Sequence, residues 1–309
     1  MNYGPLVFLA AFFALASSWF GLVLIPQMQV GHLQQTNTIP AQETYPLARP
    51  GLARQGLEVY RANGCAYCHS QQIGQTATVC DVTLTDAGTN RAALLKAVLK
   101  TKPDLTEAAA KDLLAKLPQP ILKGAPREAA DAAMRTFKSS GAKAELWVVP
   151  VGPDIARGWG RRRSVAEDFL FDAPVMLGSQ RIGPDLANVG ARLADPNFQL
   201  RHLYNPRIDV PGSTMPPYRF LFEQRKIERA PSAEALPLTG ASQPAPGYEI
   251  VPKTEANALV AYLLSLRADA PLYETPMTVA MTAAPASTNA PAAPSSRTTN
   301  AAPTNAPAK

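Results

Sequence analysis

Cys65-Ala66-Tyr67-Cys68-His69 is the only CxxCH in the chain. Two thiols spaced this way at a helix end can each add to a vinyl group of a porphyrin, and the following histidine then reaches the iron. Zinc would need two further ligands, and only Cys80, His202 and carboxylates remain, with no second paired motif. A thioredoxin-like dithiol would not need the histidine. The pattern therefore reads as the attachment point of one covalently bound heme c. The only histidines are His32, His69 and His202, too few for most multi-histidine metal centres, a heme–copper site included. The third cysteine, Cys80, leaves no even set for a disulfide framework and reads as a buried strand thiol.

His69 must meet iron as neutral imidazole, with its other ring nitrogen held by an acceptor. Gly183-Pro184-Asp185-Leu186 supplies one, because a Gly-Pro-x-Leu segment in small c-type cytochromes offers the proline carbonyl to that nitrogen. The sixth ligand is expected to be a soft thioether, which raises the reduction potential. Met215 in Ser213-Thr214-Met215-Pro216-Pro217-Tyr218 fits best, since the flanking prolines stiffen the loop that presents the sulfur. Met134, Met176, Met277 and Met281 sit in less suitable surroundings. His202, in a helical stretch from Phe198 to Leu203, is the competing ligand and would give a bis-histidine heme.

These residues need a scaffold. Leu52 to Ala62 reads as a helix running into CxxCH, and Thr254 to Leu266 as a closing helix with Ala258, Leu259, Tyr262, Leu263 and Leu266 on one face. In the small cytochrome fold these two cross. Gly56 would permit their close approach and Tyr262 would fill the crossing. Gly4 to Ile25 carries no charge, and its 22 residues span roughly 33 Å as a helix, enough for a bilayer core. An A-x-A pattern at Ala14–Ala16 keeps a cleaved signal in view. The run continues past that point without a basic n-region, which favours an uncleaved anchor over residues 1–27. The first basic residue is Arg49, so flanking charge gives no orientation. Residues 28–50 read as a polar linker, with His32 a solvated interfacial side chain. From residue 270 the chain is rich in Ala, Pro, Thr, Ser and Asn and is expected to be disordered to its end. Formal net charge is +6. There is no basic stripe interleaved with aromatics, so nucleic acid is not an expected partner. Arg161–Arg163 reads either as a partner or lipid patch or as a solvated run.

Residues 78–150 do not look like cytochrome. A strand at Cys80–Leu84 is followed by helices over Asn90–Lys100 and from Thr106, a short apolar piece at Pro120–Leu122, a helix over Arg127–Ser139, and a strand at Ala144–Val149. This β-α-α-β-α-β unit resembles the C-terminal domain of the bacterial ribosomal stalk protein. The likeness rests on Leu95–Val98, Leu105–Leu114, Pro120–Lys123 and Ser140–Glu145. Pro103-Asp104 stands where that family usually has a glycine pair. Fold likeness does not carry function, and the unit reads as a structural or docking insertion.

The remainder resembles the mono-heme subunit II (FixO/CcoO type) of cbb3-type cytochrome c oxidases. The strings are Gly56–Tyr60, Gly64–Gln71, Ala166–Pro174, Gly178–Gly190, His202-Leu203-Tyr204-Asn205-Pro206-Arg207 and Val210–Pro216. The insertion and Leu177, where a tryptophan is usual, are departures. The resemblance implies a mainly α protein: an N-terminal transmembrane helix and a small all-α cytochrome c domain (residues 51–77 and 151–269), interrupted by the α/β insertion. It implies a single-pass protein of the bacterial inner membrane with a periplasmic heme domain. That domain would take electrons from a di-heme cytochrome c subunit or a soluble cytochrome c and pass them to the heme–copper catalytic subunit, without catalysis of its own. Arg181 and Arg207 are candidates for balancing heme propionates, each equally readable as a surface cation, and Tyr204 is expected to support the pocket. The mono-heme subunit of a nitric oxide reductase, or an assembly protein recruiting through its insertion, are the other classes that share some of these features.

Overall fold

The computed structural model describes residues 3–39 and 41–272. Most of the expected disordered tail, Met277 and Met281 included, lies outside the described residues. Its first three residues are ordered by packing, contrary to that expectation. Leu272 is fully buried, Pro271 accepts a hydrogen bond from the Ile39 amide, and the Ala270 carbonyl accepts one from Arg162.

An apolar helical run covers Gly4–Gln29. It comprises α1 (Gly4–Trp19), a π-helical turn (Phe20–Leu24) and α2 (Ile25–Val30). Pro26 lacks the N–H that would bond one turn back, and the wider turn sits just before it. No α1 side chain is buried, so its apolar surface finds no partner among the described residues. The run is long and apolar enough to cross a bilayer. The following segment is more than a linker. Its strands β1 (Thr36–Asn37) and β2 (Thr44–Tyr45) pair antiparallel, and the Tyr45 hydroxyl donates to Asp168 at 2.7 Å.

Helix α3 (Gly51–Ala62) leads into CxxCH. Next comes the inserted unit: β3 (Ala77–Asp86), α4 (Arg91–Thr101), α5 (Glu107–Ala115), β4 (Gln119–Ala125), α6 (Arg127–Ser139) and β5 (Lys143–Val151). Local chemistry sets these boundaries. Asn90 and Thr106 cap α4 and α5 by accepting the amides of Ala93 and Ala109. The sheet order is β4-β3-β5, antiparallel throughout. Period-two alternation in β3 turns Cys80, Val82 and Leu84 toward a core shared with Leu94, Val98, Leu114, Ile121 and Phe137. Each fully buried large side chain contributes about 1.5–3 kcal/mol. Cys80 is a free, buried strand thiol.

The chain then forms α7 (Pro153–Ala156), α8 (Val189–Arg192), α9 (Pro196–Tyr204), β6 (Phe222–Lys226), β7 (Tyr248–Pro252) and α10 (Thr254–Ser265). The β6–β7 ladder corrects the expectation of an all-α heme domain. Its connecting loop sends Leu236 and Leu238 into the core, where they meet Ile250 and Leu259. Helices α3 and α10 cross as expected. A Cβ at Gly56 would lie 1.9 Å from the Ala258 carbonyl oxygen and 2.7 Å from Tyr262 Cβ, so only glycine permits this approach. Tyr60 and Tyr262 pack at a tilt beside the contact, with ring centroids 5.3 Å apart. Arg162 corrects another expectation. It is fully buried, with two nitrogens on Asp168 at 2.7 and 3.0 Å, because a guanidinium loses its water only where a carboxylate replaces it. Within the Arg161–Arg163 run, Arg161 and Arg163 are exposed and Arg162 is not.

Candidate heme site

Helix α3 stops because Asn63 folds its side-chain amide back onto the Val59 carbonyl, 2.8 Å away, and Gly64 turns the chain at φ +66°. A 3₁₀ turn over Cys65–Tyr67 follows, and the His69 amide donates to the Cys65 carbonyl at 3.0 Å. The two cysteines and the histidine thus share one compact turn at the end of a packed helix.

The segment from Leu177 to Leu186 runs alongside this turn. The amides of Ser179, Gly183 and Leu186 donate to the carbonyls of Ala66, Cys68 and Ser70, and the Gln71 amide donates to the Leu177 carbonyl. His69 Nδ1 lies 2.8 Å from the Pro184 carbonyl oxygen. A carbonyl only accepts, so Nδ1 carries the proton, and the lone pair stays on Nε2. Gly183 lies against the ring. A Cβ there would sit 2.2 Å from His69 Cε1, 2.7 Å from Nδ1 and 2.9 Å from Nε2. Burial lowers the His69 pKa, opposed by the bond to Pro184 and by the charge of Asp185. The imidazole is therefore held neutral, the form that binds metal.

Helix α9 and the loop after it bring up the other side. Asp195 caps α9 through the Asn197 amide, and the Tyr218 amide donates to the Leu203 carbonyl at 2.8 Å, which closes the loop carrying Met215. Met215 is half-buried and packs on the same core as Cys65 and Ala66. Tyr218 lies close enough to Cys65 for each side chain to shift the other's acidity, so the loop approaches the CxxCH turn. Burial pushes the Cys65 thiol up to about 11. It also raises Tyr218, as do the cysteines beside it. His202 stands on the same side. Its ring stacks on Phe198 at 5.6 Å, and Nδ1 is 3.8 Å from Asp209. Burial lowers its pKa despite Asp209, and the charge of Arg201 lowers it further.

The residues expected around the propionates divide. Arg207 is exposed, with no side-chain partner among the described residues. Tyr204 is half-buried, edge-on to Phe222 at 5.3 Å, with Arg219 over its ring. Arg181 is taken up by protein. Its Nε donates to Ser70 Oγ and its Nη1 to Asp154, both at 2.9 Å, and Nη2 donates to the Gln72 carbonyl. Each nitrogen of the fork thus has an acceptor within the chain, while the side chain keeps 38% of its surface exposed. Asp154, Asp185, Ser70 and Tyr218 received no role from the sequence. The available signal was position: each is polar and lies beside a ligand candidate or within one of the quoted strings, Asp154 excepted.

The residues present fit a covalently held heme. Two free thiols, an imidazole with its free nitrogen defined, and a thioether loop packed on the same core as Cys65 supply the donor set. A separate cavity of about 640 Å³, lined by Tyr45, Arg49, Asp168, Asp172 and the end of α10, includes none of them. Among the described residues no group of three or more His, Cys, Asp or Glu is placed to hold a metal ion.

Two protein families match the chain. Residues 148–239 match cytochrome c oxidase, mono-heme subunit/FixO. Residues 80–147 match the C-terminal domain of ribosomal protein L7/L12. The two matches abut, and Cys65, Cys68 and His69 lie before both. No curated protein matches the chain.

Proposed function

We propose that the chain is the membrane-anchored mono-heme cytochrome c subunit of a cbb3-type terminal oxidase. It relays electrons to the heme–copper catalytic subunit and does no catalysis alone. The observation that carries this reading is the bond from His69 to the Pro184 carbonyl, with Gly183 against the ring. It joins the CxxCH turn to the segment that matches the oxidase family.

Heme c, when bound, supplies a one-electron carrier that cycles between ferric and ferrous iron. Cys65 and Cys68 hold it through thioethers, which fix its orientation and prevent loss. His69 would offer Nε2 to the iron, kept in one tautomer by Pro184. Met215 would offer the iron a soft sulfur, a ligand that favours the ferrous state and raises the potential. The core behind Cys65 and Met215 excludes water, so little solvent reorganises when charge changes. The helix Gly4–Gln29 anchors the subunit in the bacterial inner membrane with its heme domain in the periplasm. There it takes electrons from a di-heme cytochrome c subunit or a soluble cytochrome c.

The test is purification of the native complex through a tag on this chain. Recovery with a heme–copper subunit, one covalent heme on this chain and oxygen reduction is expected. Recovery with a nitric oxide-reducing partner would sink the proposal, as would a purified chain without covalent heme.

A further inference from the structure

The insertion enters after Thr76 and leaves at Gly152, between the heme-attachment turn and everything that completes the site. Two deeply buried carboxylates lie at this junction. Asp154 follows directly on the exit strand, and Asp185 follows Pro184. Asp154 Oδ2 accepts the amide of Gly74, which lies just before the entry strand, at 2.7 Å. Its Oδ1 accepts Arg181 Nη1 at 2.9 Å. Arg181 Nε reaches Ser70, the residue after His69, and Ser70 Oγ donates to Asp185 Oδ2 at 2.5 Å. Asp185 also accepts the amides of Gln72 and Ala187, each at 2.8 Å. Arg157 approaches Asp154 to 3.6 Å from the solvent side, and Trp159 lies under the Arg181 guanidinium at 5.6 Å.

Burying two carboxylates is costly, and cationic partners offset that cost only in good geometry. A planar fork that serves three acceptors at once is the side chain for this task, and a lysine is not. The arrangement therefore has a purpose beyond neutralising charge. It ties the stem of the insertion to the residues on either side of the His69–Pro184 bond.

We infer that Asp154 and Arg181 are positioning residues which clamp the His69 turn to the Pro184 segment across the base of the insertion. The clamp holds the His69 imidazole in its orientation and compensates the buried Asp154 carboxylate with the partly exposed Arg181 guanidinium. This rests on the heme reading above and adds a role that needs no propionate contact from Arg181.

The experiment uses the full-length subunit matured with its heme, as Asp154→Asn, Arg181→Lys and, as control, Leu94→Ala. Leu94 is fully buried in the insertion core, away from the clamp. Solvent exchange of the His69 Nδ1 proton is followed by NMR in the ferrous form, and the midpoint potential by redox titration. Both clamp variants should exchange that proton at least tenfold faster. Asp154→Asn should also raise the potential, because removing a buried negative charge disfavours the ferric state. Leu94→Ala should lower thermal stability without changing either readout. If Asp154→Asn does not mature, Asp154→Glu replaces it, with faster exchange and unchanged charge expected. Wild-type exchange in both clamp variants would overturn the inference, and so would equal acceleration in Leu94→Ala. Absence of covalent heme from the wild type would instead refute the underlying heme reading.

Discussion

Gly183→Ala isolates the fit of one methyl group against the His69 ring. The added Cβ would lie 2.2 Å from His69 Cε1, whereas ordinary contact begins near 3.4 Å, so the ring must retreat by about 1.2 Å. It has little freedom to do so, since Nδ1 is bonded to Pro184 and the Gly183 amide is bonded to the Cys68 carbonyl. Overpacking of this kind costs about 1–3 kcal/mol, and loss of the Nδ1 hydrogen bond adds roughly 0.5–1.5 kcal/mol. The substitution needs no unusual backbone angle, so the whole effect is steric. Gly212→Ala is the matched control, because nothing lies within 4 Å of its Cβ. Covalent heme per chain, read from the absorbance of the alkaline pyridine adduct, should fall severalfold in Gly183→Ala. Thermal unfolding of the fraction that matures should move down by several degrees. Gly212→Ala should match the wild type in both. Full heme content and unchanged melting in Gly183→Ala would show that the ring does not sit where the Gly-Pro segment requires it.

Gly56→Ala should be more damaging, because its Cβ meets backbone of α10 at 1.9 Å and a helix cannot rotate away as a side chain can. A loss of several kcal/mol, or no soluble heme domain, is expected by chemical denaturation. Met215→Ala should abolish the sulfur-to-iron absorption band in the far red and lower the midpoint potential, while covalent heme from Cys65 and Cys68 persists. A band that survives would move the sixth ligand elsewhere, with His202→Ala as the next variant. His202 itself predicts a pH dependence in the apoprotein. Burial lowers its folded pKa below the ordinary 6.5, so the unfolded chain binds the proton more readily. Stability from this group is full above pH 6.5 and declines as pH falls from there through the folded pKa. Denaturant midpoints in His202→Gln should show a shallower acid slope than in wild type, and an unchanged slope would contradict the burial argument.

What could be read from the sequence was what chemistry or periodicity writes locally. CxxCH fixes a turn because two thiols and an imidazole must face one ligand. The inserted unit was legible because its first two helices carry caps, its helices carry apolar stripes, and Cys80-Asp81-Val82-Thr83-Leu84 alternates with period two. Gly56 and Tyr262 were legible as a pair because a close helix crossing needs a missing side chain next to a large one. The β6–β7 ladder was hidden. Phe222-Glu223-Gln224-Arg225-Lys226 is mostly polar and exposed, and its partner lies beyond a long loop, so no hairpin signal exists. Arg162 was hidden for a related reason. A run of three arginines reads as solvated, and the carboxylate that makes burial tolerable lies six positions away in Asp168. Arg181 belongs to the same class, since three acceptors from two distant stretches claim its nitrogens. Long-range electrostatic pairing leaves no periodic trace.

The splicing of a folded unit into the loop of a cofactor site raises a question of cost, and the stem answers it. Strands β3 and β5 pair from Ala77↔Val151 inward, and the Thr76 amide donates to the Val151 carbonyl at 3.0 Å. The two ends of the insertion are therefore held side by side. An unstructured loop of this length would cost about 2 kcal/mol more to close than a short turn. The paired stem removes most of that difference, because the heme-bearing unit meets only two adjacent strand ends. Replacing residues 77–151 by a short Gly-Ser turn should thus leave covalent heme content at the wild-type level. The stability of the heme-bearing unit should stay within about 1 kcal/mol, since Gly74, Asp154 and Arg181 all remain to close the gap. A circular-dichroism melt of the matured subunit, with heme stoichiometry alongside, reads both quantities. If heme content collapses while Asp154 and Arg181 are intact, the insertion body itself supports the site. The two segments would then not be the independent units that their separate cores make them.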